Sequence, residues 1–253
     1  MVQTVQRQVV LSILLLIGGY LAGSIPFAYL VGRLLRGIDI REYGTRSVGA
    51  SNVYEQVGRP LLVLVGLLDI GKAALPSWLA LRLGLGLPTA LAAGLSAVVG
   101  HNWPLYLNFK GGRGISPCVG VLLVILPWGG LWELAVIVLG RFLRHGVVNL
   151  LGLLTLPLLA WALRQPPEVV AAGAIMFAIV SLKRLEANGE PLPRGPERWP
   201  VLWRRWLLDR DIEDWDAWIS RRPEGSAAHW RVAALEGAGH QDEQDEDGRR
   251  TTS

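Results

Sequence analysis

"LPWGG", Leu126–Gly130, sits in the middle of an apolar stretch that runs from Ile115 to Leu139. Read through, the stretch is one long helix. Read as a turn, it is two short ones, because proline and paired glycines kink a helix or send the chain back. The choice sets the direction of everything after it.

The surrounding chain makes this a question about a membrane. Of 253 residues, 51% are apolar and 18% charged, and the mean hydropathy is +0.34. Soluble domains carry about a quarter charged residues. Apolar stretches run Val9 to Leu35, Pro60 to Leu83, Leu87 to Leu107, Ile115 to Leu139, Val147 to Leu163 and Val169 to Leu182. Several approach the roughly 20 residues a transmembrane helix needs. Arg7 precedes the first stretch, but no small-residue cleavage site follows it, so the stretch reads as a retained span. Cys118 is the single cysteine, which excludes an internal disulfide and a cysteine-rich metal cluster.

Cytoplasmic loops collect Lys and Arg. The loop after the first span holds Arg36, Arg41, Arg46 and Arg59; the loop after the third holds Lys110 and Arg113; the loop after the second, at Gly84 to Gly86, is uncharged. A single span through "LPWGG" places "GRFLRH", Gly140 to His145, and the basic segment Lys183 to Arg210 outside. A turn places both inside, leaving only Arg7, Arg82 and Arg164 on the wrong side. The expected fold is therefore all-α, a polytopic membrane protein of about seven transmembrane helices, N-terminus outside and C-terminus inside. The two helices flanking the turn, roughly 13 residues each, are short for a bilayer and need local thinning or neighbouring helices. Gly18, Gly19, Gly23, Ala92, Ala93, Gly94 and Ala97 let helices approach closely, which is a packing signal.

Two inside loops carry the chemistry. "GIDIREYGTRSVGASNVYEQVGR", Gly37 to Arg59, sets Asp39, Arg41, Thr45, Arg46, Ser47, Ser51 and Asn52 among glycines. Hydroxyls, an amide and exposed N–H groups suit a phosphate. A plain connector is the alternative, although structureless connectors of this length are uncommon. "FKGGRG", Phe109 to Gly114, surrounds Lys110 and Arg113 with glycines whose N–H groups can approach an anion. It follows "GHNWP", where His101 is either a base or phosphate donor, or an interfacial residue beside Trp103. Asp69 and Lys72, at i and i+3 inside the second span, form either a structural pair or a functional one.

"GYLAGSIPFAYLVGRLLRGIDIREYG", "GASN", "LLDIGKAALP", "GHNWPLYLNFKGGRG" and "KRLEANGE" resemble, in order and spacing, the bacterial acyl-phosphate:glycerol-3-phosphate acyltransferases, the PlsY family. The resemblance covers Gly19 to Glu190. It implies seven membrane helices in the bacterial inner membrane, with the motifs on the cytoplasmic side. It implies transfer of a fatty acyl group from acyl phosphate to glycerol 3-phosphate, giving lysophosphatidic acid for phospholipid synthesis. Neither a cofactor, a metal nor a nucleic-acid partner is expected; the partners are the two substrates and membrane lipid. Carried over, Arg113, Thr45 and His101 are the expected catalytic residues. Lys110, Gly111, Gly112, Gly114, Gly49, Ser51, Asn52, Ser24 and Ser47 are the expected substrate-binding set.

The departures are specific. The family's first loop reads Gly-Ser-Gly-Asn-x-Gly-Ala-Thr-Asn-x-x-Arg; here Arg46 replaces a glycine and Glu55 the arginine. Arg113 stands where the second motif has Lys, a point charge exchanged for a planar fork. The family's His and Asn before Lys-Arg-Leu are Ala178 and Ser181 here. Either other basic groups (Arg59, Arg141, Arg144 or His145) rebuild the site, or the chain is a non-catalytic relative that binds anionic lipid or a membrane partner.

Three regions follow: a membrane acyltransferase-like domain over 1–190, a Trp/Arg-rich membrane-surface or packing segment over 191–236, and a charged tail over 237–253 expected to be disordered.

Overall fold

The computed structural model describes residues 2–223, so the 237–253 tail lies outside the described residues. The described chain is helical: α1 (Val2–Gly23), α2 (Phe27–Arg36), α3 (Ala50–Gln56), α4 (Leu61–Arg82), α5 (Leu87–Asn102), α6 (Ile115–Ile125), α7 (Pro127–Leu143), α8 (Gly146–Ala162), α9 (Pro167–Glu186), α10 (Arg198–Leu208) and α11 (Trp215–Ile219). Among the described residues, α1 through α2 and α4 are the stretches long and apolar enough to cross a bilayer by that test alone.

The interruption at "LPWGG" is real. α6 stops at Ile125, Leu126 is non-helical, and Pro127 opens α7 at the position where its missing N–H costs nothing. α7 is 17 residues long and runs to Leu143, so it is longer than the sequence suggested and takes in "GRFL". The first apolar stretch is corrected. It divides at Ser24–Pro26 into α1 and the amphipathic α2, because Pro26 cannot continue the α1 hydrogen-bond ladder. α2 ends at Gly37, whose φ of +65° suits glycine and whose N–H donates to the Arg33 carbonyl.

Small residues set the crossings. α1 packs along α5, and α4 along both α5 and α6. A β-carbon on Gly23 would run into the Ala97 carbonyl of α5, and one on Gly120 into the Ile70 carbonyl of α4, whereas Gly18 has open space around it. The main core joins Ala73, Val98, Val121, Leu153, Leu156 and Met176 from five helices.

A second core lies under the first loop and joins Ala28, Ile40, Val48, Val53, Val65 and Leu107. This loop is thus folded on its own apolar centre and is no slack connector. At the same end of the bundle lie the segments 37–60, 103–114, 140–146 and 183–223. They are tied there by Arg46 to Glu190 (2.6 Å), Arg141 to Glu55 (2.7 Å) and Arg184 Nη2 to the Gly146 carbonyl (2.9 Å).

Candidate functional site

The first loop is braced from within. Asn52 is 1% exposed. Its Nδ2 donates to the carbonyls of Ile40 (3.0 Å), Tyr43 (3.1 Å) and Ser47 (3.1 Å), and its Oδ1 accepts from the Thr45 N–H (3.2 Å). Asp39 accepts from the Arg41 backbone N–H and from its guanidinium at 2.7 and 3.0 Å. Burial alone would push the Asp39 carboxyl up; these bonds and the nearby Arg33 hold it below the usual carboxylate range. Gly49 caps α3, Ser51 on its first turn is exposed, and Ser47 donates its N–H to Thr45 Oγ1.

The "FKGGRG" glycines are explained first by packing. The segment lies on the C-terminal end of α5, and the Gly112 N–H donates to the His101 carbonyl (3.1 Å). A β-carbon on Gly112 would strike His101 Nε2, one on Gly111 the His101 carbonyl, and Gly114 adopts φ +81° against Asn102. The Gly111 carbonyl accepts from the Val48 N–H and from Asn188 Nδ2, so the two loops are stitched together. Asn188 also donates to the Arg46 carbonyl. It lies in "KRLEANGE", but nothing in that motif signals that it bridges both loops.

Four of the twelve expected residues line two cavities, and the other eight line neither. Thr45 and Arg113 line a partly open cleft with Arg46, Arg184, Glu190, Arg205, Asp209, Arg210, Asp211 and Arg221. Ser24 and His101 line a second, tightly filled cavity with Asp69, Lys72 and Val48. There Lys72 Nζ reaches Asp69 (2.8 Å) and the Ile25 carbonyl (2.9 Å) at the α1–α2 break, and His101 Nδ1 lies 3.5 Å from Asp69. Asp69 and Lys72 therefore brace that break, whose freed carbonyl needs a donor. Ser24 Oγ donates to the Tyr20 carbonyl and accepts from the Leu105 N–H. Lys110 is exposed and lines neither cavity.

Arg113 is mostly buried, with its Nε 2.6 Å from Asp209. Asp209 caps α10, which packs on α8 and α9. The Gly44 N–H donates to the Arg221 carbonyl, and Gln56 Nε2 to that of Ile219. The Trp/Arg-rich segment is thus folded onto the loops, with Arg205 and Trp218 buried and Trp199 and Trp203 exposed. Sequence reasoning missed Arg184, Arg205, Arg210 and Arg221 as cleft residues.

Comparison with known proteins places these elements. The family described as glycerol-3-phosphate acyltransferase matches residues 13–192. The chain belongs to the glycerol-3-phosphate acyltransferase family. It is 37% identical over 216 residues to glycerol-3-phosphate acyltransferase 5 of Dehalococcoides mccartyi, covering 83% of this chain and 93% of that one. A Synechococcus glycerol-3-phosphate acyltransferase is 37% identical, over 74% and 94% of the two chains. The crystal structure of PlsY (YgiH), an integral membrane glycerol 3-phosphate acyltransferase, in its glycerol 3-phosphate form, superposes with a TM-score of 0.64. It shares 30% identity and covers 69% of this chain and 88% of that one. A lysophosphatidic acid form of the same protein superposes with a TM-score of 0.62.

As a glycerol-3-phosphate acyltransferase family member, the chain accommodates its own departures. Glu55, in place of the pattern's arginine, pairs with Arg141, which also lies over the Tyr54 ring at 4.1 Å. Arg46, in place of a glycine, sits at φ +56°, the left-handed region that glycine enters without strain. Its guanidinium nonetheless reaches Glu190. Ala178 is exposed on α9, and Ser181 Oγ is buried without a hydrogen-bond partner. One turn on, Lys183 and Arg184 point inward, Lys183 to the Phe109 carbonyl and to Glu186 (2.7 Å).

Proposed function

We propose that this chain transfers a fatty acyl group from acyl phosphate to the 1-hydroxyl of glycerol 3-phosphate, forming lysophosphatidic acid and releasing inorganic phosphate. The observation that carries this reading is the convergence of the family's loops on one basic cleft, where Thr45 and Arg113 face the same space. Both substrates are phosphate anions, and an arginine-lined cleft binds such groups through charge-assisted hydrogen bonds.

The chemistry asks little of the protein beyond positioning. The acceptor hydroxyl oxygen bonds to the acyl carbon, the carbon–oxygen bond to phosphate breaks, and the hydroxyl proton passes to the departing phosphate. Arg113 holds the phosphate of glycerol 3-phosphate so that its hydroxyl lies against the acyl carbon, and Thr45 Oγ1 orients that hydroxyl. His101, in the adjoining cavity behind Gly112, acts by holding the "FKGGRG" backbone in place. Ser24, Gly49, Ser47, Asn52, Gly111, Gly112 and Gly114 shape the same region, and exposed Lys110 and Ser51 meet incoming anions at its rim.

We further read α1 and α4–α9 as seven spans of a bacterial cell membrane, N-terminus outside, with the cleft and C-terminal segment in the cytoplasm. The apolar side chains facing outward on α1, including Val9, Ile13, Leu14 and Ile17, suit lipid.

The test uses purified protein in vesicles with palmitoyl phosphate and labelled glycerol 3-phosphate. Lysophosphatidic acid forms, Arg113→Ala lowers its rate at least a hundredfold, and Arg113→Lys recovers part of it. Folded protein that makes no product where an active relative does refutes the reading. Topology is tested with Cys118→Ser, which leaves a cysteine-free background. A cysteine placed at Arg144 is labelled from the cytoplasmic side and one at Leu85 from the other; labelling of both from one side removes the seven-span arrangement.

A further inference from the structure

The cleft holds more positive charge than its acids balance. Six arginines line it (Arg46, Arg113, Arg184, Arg205, Arg210 and Arg221) against Glu190, Asp209 and Asp211. Each acid is taken by one arginine: Glu190 by Arg46 (2.6 Å), Asp209 by Arg113 (2.6 Å) and Asp211 by Arg221 (2.8 Å). Arg184, Arg205 and Arg210 have no carboxylate partner among the described residues. Arg184 and Arg205 are 1% and 2% exposed and donate to main-chain carbonyls of Trp206, Leu207 and Gly146, and of Glu190 and Pro191. Arg210 lies by the Trp215 ring.

Several guanidinium N–H groups in this cleft are buried without an acceptor: Nε of Arg46, Arg184, Arg205 and Arg210, and Nη1 of Arg113. Buried unsatisfied donors on charged groups are among the costliest features a fold keeps. Five of them around one cleft form a donor set that an anion rich in acceptor oxygens would satisfy. Three of the six arginines come from beyond residue 192, where the family match ends.

Resting on the acyltransferase reading above, we propose that the 198–221 segment supplies one wall of the acceptor site, its Arg205, Arg210 and Arg221 binding a phosphomonoester dianion together with Arg46, Arg113 and Arg184. Asp209 is the internal carboxylate that this dianion displaces from Arg113. Arg46 keeps its left-handed backbone because its guanidinium belongs to this shell. The segment thus replaces the donors missing at Ala178 and Ser181 with charge brought from beyond residue 192, where the family model ends.

The full chain in phosphatidylcholine nanodiscs is titrated with inorganic phosphate, with glycerol 3-phosphate and, in a separate arm, with added lysophosphatidic acid, following tryptophan fluorescence. Arg210→Gln weakens phosphate binding at least fivefold, while Asp209→Asn tightens it severalfold. A folding defect would weaken both, so the opposite signs are diagnostic. Binding of glycerol 3-phosphate assigns the cleft to the acceptor; binding only of lysophosphatidic acid assigns it to the product headgroup; each supports the dianion site. Unchanged affinity in both variants, or weakening in both, overturns it. The KM for glycerol 3-phosphate, measured in parallel, shifts in the same directions while that for acyl phosphate stays put. Product formation with both KM values unmoved removes the cleft and keeps the acyltransferase; variant-sensitive phosphate binding without product does the reverse.

Discussion

Replacing Asn52 by alanine tests whether the first loop is a built platform or a set of ligand groups. The side chain satisfies three carbonyls and one N–H at 3.0–3.2 Å, and it is almost wholly buried. Alanine strands those backbone groups where water cannot easily replace the amide. Two N–H donors and one acceptor are lost, each worth about 0.5–1.5 kcal/mol, so the loop loses about 2–4 kcal/mol. At about 1.4 kcal/mol per tenfold change, amide exchange in the loop accelerates roughly 30- to 1,000-fold. Hydrogen–deuterium exchange of nanodisc-held protein reads this directly. Peptides spanning 38–53 lose protection, peptides from α4 and α5 keep theirs, and acyltransfer falls in step. Asn52→Asp is worse than alanine, because it turns an oxygen towards three carbonyls. If exchange stays at the wild-type rate while the KM for glycerol 3-phosphate rises, Asn52 touches substrate and the brace argument is wrong.

Other expectations follow from the same contacts. Gly23→Ala drives a methyl into the Ala97 carbonyl and costs about 1–3 kcal/mol, lowering the thermal midpoint, whereas Gly18→Ala is neutral or gains up to about 1 kcal/mol; equal effects would show that the α1–α5 crossing is looser than described. Glu55→Arg sets two arginines together and lowers the midpoint, and Glu55→Arg with Arg141→Glu restores it to within about 1 kcal/mol; a double variant no better than the single one disposes of the pairing. Asp39 has a depressed pKa, so its contribution is fully present above the ordinary carboxylate value of about 4 and fades as pH falls through the lowered one. Loop protection should therefore hold from neutrality to about pH 4 and decline below it, and Asp39→Asn should flatten that decline.

The sequence told most where one residue type decides a local outcome. Pro127 with Gly129 and Gly130 and the charge of "GRFLRH" together marked the α6–α7 break; proline alone does not, since α4 and α8 run through Pro76 and Pro157, but arginine resists crossing a membrane. The break at Ser24–Pro26 was hidden because hydropathy stays high through Phe27 and Ala28, and an averaging window does not see one missing N–H. The types in the first loop were legible, but their partners were not. Nothing in Asn52 says that it serves Ile40, Tyr43 and Ser47, since that depends on how the chain closes over a small core. The Arg113–Asp209 contact joins positions 96 residues apart. No periodicity or motif encodes such a meeting, so the arginines of α10 read as a membrane-surface pattern.

The shortness of α6 also bears on how the protein is made. Eleven residues rise only about 16 Å, roughly half the hydrocarbon thickness, so α6 is a poor candidate to partition into lipid as it leaves the ribosome. It leans on α4, made before it, and on α7, made after it, and in the proposed topology the Arg141 end of α7 is held back on the cytoplasmic side. The two helices should then enter as a single hairpin, late and together. An arginine substituted at Leu131, on α7 and far from any substrate, would in that case strand α6 as well, and the nascent chain would meet quality control before it ever met a phosphate.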